Sequence, residues 1–220
     1  MNIDSIMQGI AIWAIPVLLA IVLHEVAHGW VADKLGDDTA RWMGRLTLNP
    51  IKHIDPIGTI LVPVLLLVVG SPFLFGYARP VPINFRKLRR PKQDMIWVAL
   101  AGPVTNVLLA LASAGLLAVM LQLPHSMNWL AEPVALMCQA SILINMVLCI
   151  FNLIPLPPLD GGRVAVGLLP GRYAYYLSRV EPYGFIIIVA LLFTGILTST
   201  IGPAVMGTSG WLMHLAGLQF

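Results

Sequence analysis

Charge is scarce in this chain. Asp, Glu, Lys and Arg make up 10% of its 220 residues, where soluble domains carry about a quarter. Long polar stretches are missing too, so nothing outside the apolar segments has the length to build a core of its own. Together with a 58% hydrophobic content, these absences exclude an ordinary soluble enzyme. They imply an integral membrane protein with several spans, organised as one domain over residues 1–220. Cysteine is nearly absent. Cys138 and Cys149 lie in one apolar segment and read as reduced packing residues, which excludes a disulfide framework. The net charge of +3 comes from loops and points to no nucleic-acid partner. There is no internal repeat and no low-complexity tract. Lys and Arg are missing ahead of the first apolar run, so no cleavable signal peptide is expected and that run stays in the protein.

Apolar runs of about 20 residues mark spans. Ile6–Val31, Met95–Leu123, Trp129–Ile154 and Tyr183–Ile201 fit as transmembrane helices. Ile57–Phe75 has the length but is interrupted by Pro63, Gly70 and Pro72. The tail Pro203–Phe220 fits a partial span or an interfacial helix. All 13 Lys and Arg fall in three stretches, Lys34–Lys52, Arg79–Lys92 and Arg163–Arg179. The positive-inside rule places those stretches in the cytoplasm of a cell-membrane protein. Ile57–Phe75 then begins and ends on one side, which predicts a re-entrant segment bent near Pro63 or Gly70. The alternating pattern around Leu46-Thr47-Leu48, closed by Asn49-Pro50, predicts a short β-hairpin or strand within Arg41–Ile54. Its free edge could take an extended peptide as a further strand. The expected fold class is thus an all-α polytopic membrane protein with about 4–6 transmembrane segments, a re-entrant segment and a short β-hairpin.

The first apolar run has no Lys, Arg or Asp, yet it holds His24-Glu25-Val26-Ala27-His28. An acid in a membrane helix costs roughly 2.5–3.5 kcal/mol on insertion scales, so packing alone does not account for Glu25. Residues four apart project from one helix face, about 40° apart in azimuth. Two imidazoles at that spacing can grip one Zn²⁺, with Glu25 beside them able to take a proton from water. Catalytic zinc needs a third protein ligand at similar depth. Asp160 follows the third expected span in Asn152-Leu-Ile-Pro-Leu-Pro-Pro-Leu-Asp160-Gly-Gly. The prolines stop regular helix bonding, and Gly161 and Gly162 allow a tight turn beside a metal. Asp160 also reads as an N-cap for a helix over 161–169, and both roles are compatible.

Three runs occur in a telling order: the H-E-x-x-H helix, Ala101-Gly102-Pro103-Val104-Thr105-Asn106, and Asn152…Leu159-Asp160-Gly161. In this the chain resembles the site-2 protease family of intramembrane zinc metalloproteases over most of residues 10–170. The stretch Gly44–Ile60 further resembles a compact bacterial and archaeal branch. The chain lacks any inserted PDZ or CBS domain. The resemblance implies one Zn²⁺ per chain held by His24, His28 and Asp160, with Glu25 as general base. It implies a catalytic core over about 6–170 followed by C-terminal helices over 171–220, and an active site near the cytoplasmic face. Asn152 matches the family position that stabilises substrate or oxyanion, and its plainer reading is a backbone-bonded residue at a helix break. The implied partners are the lipid bilayer and a transmembrane protein or peptide substrate.

Several residues read more plainly. His53 and Asp55 suit a loop, with Asp55 bonding backbone before Pro56. Asn106 shares a face with Gly102 and suits close helix packing with one interhelical hydrogen bond. The cations Arg86–Lys92 suit anionic lipid. A catalytically silent metal-binding scaffold or a metal transporter is the alternative function. Transport needs polar groups at several depths, and the other expected spans lack buried acids.

Overall fold

A computed structural model describes residues 3–68 and 76–218. Among the described residues, three helices are long and apolar enough to cross a membrane, by length and composition. These are α1 (Ile3–Lys34), α4 (Pro91–Met120) and α5 (Asn128–Asn152). Their sequences are runs of Leu, Ile, Val and Ala, and a helix satisfies every backbone polar group internally, as hydrocarbon requires. Between α1 and α4 lie the single turn α2 (Thr39–Trp42) and the short helix α3 (Val62–Val68). After α5 come α6 (Asp160–Leu168), α7 (Gly171–Ser178), α8 (Glu181–Phe193) and α9 (Ile196–Leu215).

The bundle centres on α4, which packs on α1, α5 and α6, while α9 closes against α5. Small side chains let the backbones approach. Ala110 and Ala114 of α4 meet Cys138, Ile142, Met146 and Cys149 of α5, with Leu212 and Ala216 from the C-terminal end. Both cysteines are free and buried, in agreement with the packing role.

The first three expected spans coincide with α1, α4 and α5, with ends moved by a few residues. Tyr183–Ile201 does not form one helix. Gly195 adopts φ 73°, a left-handed conformation that ends α8, and glycine enters that region without a Cβ penalty. The apolar window runs straight through this turn, so hydropathy hides it. The tail is not a separate segment either, because α9 continues past Pro203, Gly207 and Gly210 to Leu215. Helices α7 and α8 pass as a single span only if joined across a 63° bend, so the described residues hold three candidate spans, or four with that pair.

No strand forms among the described residues, and the hairpin expected in Arg41–Ile54 is absent. Asn49 Oδ1 instead accepts from Ile51 N at 3.1 Å and caps a 3₁₀ turn over Pro50–His53. Asn-Pro here starts a helical turn rather than closing a hairpin. Pro56–Leu61 is a π-helical turn leading into α3, capped by Asp55, whose Oδ1 accepts from Ile57 N (3.0 Å) and Gly58 N (2.8 Å). The bend expected near Gly70 lies outside the described residues. The flanks of that segment do meet: Tyr77 N donates to Gly58 O at 3.0 Å, and Thr59 Oγ1 donates to Tyr77 O at 2.9 Å.

Candidate metal centre

Helix α1 places His24 and His28 on the side that faces α4. His28 Nδ1 is 2.7 Å from the backbone oxygen of Val98, and His24 Nδ1 is 2.6 Å from Asn106 Oδ1. Carbonyl oxygens only accept, so both Nδ1 atoms carry the proton and both Nε2 atoms present lone pairs. Those Nε2 atoms lie 3.0 Å apart. With no proton between them this approach is not a hydrogen bond.

Asp160 completes the group. Its Oδ2 lies 3.3 Å from His24 Nε2 and 3.2 Å from His28 Nε2. Leu159, not Asp160, is the N-cap of α6, and Asp160 is the first helical residue, where the helix N-terminus favours its negative charge. Gly161 and Gly162 make no turn. They lie in the first turn of α6, where a Cβ on Gly161 would meet Leu153 O and one on Gly162 would meet Pro157 N. Their role is close approach to the proline loop.

The three atoms form a nearly equilateral triangle of buried acceptors. Asp160 Oδ2 has no hydrogen-bond partner, and all three residues are buried. A proton on one Nε2 would satisfy a single contact, whereas a cation satisfies all three. Ligands about 2.0–2.1 Å from a tetrahedral metal stand about 3.3 Å apart, which matches the observed edges. Gly102 makes the site possible. A Cβ there would lie 2.5 Å from His24 Cε1 and 2.6 Å from His24 Nε2, and closer still to His28 Nε2. The donor set, its burial and its spacing fit zinc with a fourth position open.

Residues 126–195 match the profile of Peptidase family M50. YwhC of Bacillus subtilis (strain 168) is 43% identical over 183 residues, covering 82% of this chain and 79% of the relative. This chain belongs to peptidase family M50, the site-2 protease family. Rip2 of Mycolicibacterium smegmatis is 31% identical over 80% of this chain and 64% of its own length. MJ0392 of Methanocaldococcus jannaschii is 25% identical over 79% and 40%. All three are named as zinc metalloproteases, the first two provisionally. No solved structure gives a significant match. As an M50 member the chain is a membrane-associated zinc metalloprotease, consistent with its three span-length helices.

Glu25, beside His24 on α1, is held from outside that helix. Its Oε2 accepts from Val81 N at 2.8 Å. Val81 lies in an extended strap, residues 77–84, that is pinned along its length. Arg79 N donates to His53 O at 2.9 Å, and Arg45 Nη2 donates to Arg79 O (2.9 Å) and Pro80 O (3.2 Å). Asn84 N donates to Oδ2 of the fully buried Asp37 at 2.5 Å. Burial, and then Arg79, push the Arg45 guanidinium down in pKa, while nearby Glu25 favours its charged form. Sequence reading singled out neither Arg45 nor Val81; a backbone N–H leaves no side-chain signature.

Asn152 ends α5, and its Nδ2 donates to Leu148 O at 2.9 Å, the backbone-bonded arrangement. The structure does not join it to the His24–His28–Asp160 cluster. His53 is buried, with Nε2 donating to Thr47 O at 2.9 Å, and stays out of the cluster. Asn106 does more than pack, since it bonds His24 and also Asn145. Asn145 was missed, although an amide inside an apolar helix is itself a signal. A cavity of about 780 Å³ is walled by Ile21 of α1, Val147 and Phe151 of α5, Ile201 of α9, and by His53 and Tyr77.

Proposed function

We propose that this metalloprotease is an endopeptidase that hydrolyses peptide bonds in or near transmembrane segments of membrane-protein substrates. In this reading His24, His28 and Asp160 hold one Zn²⁺ per chain, and the observation that carries it is the convergence of three buried acceptors with no donor among them. Zinc in such a site supplies a Lewis acid that lowers the pKa of a water in its open position toward about 7 and polarises a carbonyl. Glu25 is the general base. Val81 N–H fixes one carboxylate oxygen, and the other takes the proton from water and returns it to the leaving amine. Asn152 donates its amide to the developing oxyanion once the bond to Leu148 O is exchanged. The apolar cavity, with a volume in the usual range for ligand sites, receives the unwound substrate segment.

The site lies near the cytoplasmic face of the cell membrane in this reading, because the stretch Lys34–Lys52 begins at the end of α1, Arg79–Lys92 leads into α4 and Arg163–Arg179 follows α5. The meeting of Gly58 with Tyr77 favours a re-entrant course for the intervening segment. The catalytic core spans about 6–170, with C-terminal helices after it. Glu25→Gln tests the reading: cleavage of a single-span substrate should fall by about 10²–10⁴-fold, while zinc content stays near one per chain. Retained cleavage would refute the proposed role. Retained metal with no cleavage by the unaltered chain would favour the silent scaffold, and zinc flux across vesicles would favour the transporter.

A further inference from the structure

A carboxamide has two ends, and the site needs a particular one. His24 can offer Nε2 to a metal only while Nδ1 holds the proton, so Asn106 must present oxygen rather than nitrogen. Within α1 the choice is favoured only by a long contact, the Ala20 backbone oxygen 3.5 Å from Asn106 Nδ2. The closer partner lies deeper in the bundle. Asn106 Nδ2 points at Asn145 Oδ1, 2.8 Å away, and at the backbone oxygen of Ala20, 3.5 Å away. Asn145 Nδ2 in turn donates to Ser141 O at 2.8 Å and to Ser141 Oγ at 3.2 Å. Asn106 and Asn145 are almost fully buried, at 0% and 1% exposure, so water cannot substitute for either partner.

We infer that Asn145 is a positioning residue for the metal centre. It belongs to a directional relay, Ser141 O to Asn145 to Asn106 to His24, that keeps His24 Nε2 facing the metal. The direction is set at the far end. Ser141 O is a backbone carbonyl and only accepts, so Asn145 must turn its NH₂ toward it and its oxygen toward Asn106. Asn106 then has an acceptor on its NH₂ side and turns its oxygen to His24. Flipping either amide would set two acceptors or two donors against each other in a buried place. The relay ties α5 through α4 to α1. His28 is independent of it, since its Nδ1 bonds directly to Val98 O. The inference rests on the metal-centre reading.

The test is Asn145→Leu in the full chain in lipid bilayers, read two ways. Labelled-histidine nitrogen NMR on metal-free protein reports which ring nitrogen carries the proton, without requiring activity. His24 should become a mixture of tautomers while His28 stays Nδ1-protonated. Zinc affinity, measured by chelator competition, should fall about 10–100-fold, the usual loss when a partner of a ligating histidine is removed. Asn106→Leu supplies the second variant. It removes the acceptor of His24 Nδ1 itself, so it should scramble the His24 tautomer and weaken zinc binding at least as much as Asn145→Leu, with His28 again Nδ1-protonated. An unchanged His24 in Asn145→Leu, or equal disturbance of His24 and His28, would overturn the relay. Failure of the parent chain to bind zinc would sink the metal reading instead, so the two failures are distinct.

Discussion

At the scale of single residues, the centre depends as much on a missing side chain as on the three that converge. Gly102 lets α4 lie directly against the His24 and His28 rings. Gly102→Ala should leave the bundle folded, since Ala is a better helix former. It should also push the rings apart and cut zinc affinity by about tenfold or more, a loss typical for disturbed ligand support; equilibrium dialysis against a zinc buffer measures it. Asp160→Asn removes the anionic ligand but keeps the shape. Zinc should leave that variant under chelator concentrations that the parent tolerates, whereas Asn152→Ala should keep its zinc and lose turnover. The three converging residues were legible in sequence because they are ionisable residues inside or beside apolar runs. Asn145 was not, because one amide in α5 acquires meaning only when Asn106 is seen opposite it.

At the scale of elements, the strap over residues 77–84 is the part that sequence reading described least. It has no regular periodicity, and its role is carried by main-chain groups. Arg45 is its central clamp. Arg45→Met keeps the side-chain volume but drops both bonds to the Arg79 and Pro80 carbonyls. Hydrogen bonds from charged groups contribute about 1.5–3 kcal/mol, so Val81 should drift from Glu25 and turnover should fall roughly tenfold or more. Zinc content should not change, because among the described residues no hydrogen bond joins the strap to His24, His28 or Asp160; steady-state cleavage beside metal analysis separates the two effects. The helices tell the opposite story. The ends of α1, α4 and α5 could be read from hydropathy within a few residues, because lipid demands continuous apolar helix. The division of α8 from α9 could not, because Gly195 turns the chain without any polar residue to mark the place.

At the scale of the whole molecule, the cation distribution makes a prediction about sidedness. The loop between α4 and α5 has no Lys or Arg, and Ser126 within it is exposed, as is Arg89 among the cations. An impermeant thiol reagent added to intact cells should modify Ser126→Cys but spare Arg89→Cys, and permeabilised cells should show both. The native Cys138 and Cys149 are buried and should contribute little background. Labelling at position 89 from outside would invert the topology and the proposed site with it.

The triangle of lone pairs also says what happens when nothing fills it. His24 and His28 sit near the chain's beginning, and Asp160 arrives on a helix more than a hundred residues later. Three mutually repelling electron pairs are a poor seam, so an ion held by them would rivet the first span to α6, which follows the third. A thousandfold excess over the dissociation constant would add about 4 kcal/mol to the folded state. Stripping the metal should therefore soften the molecule as well as silence it, and thermal unfolding in detergent should begin where α6 parts from α1.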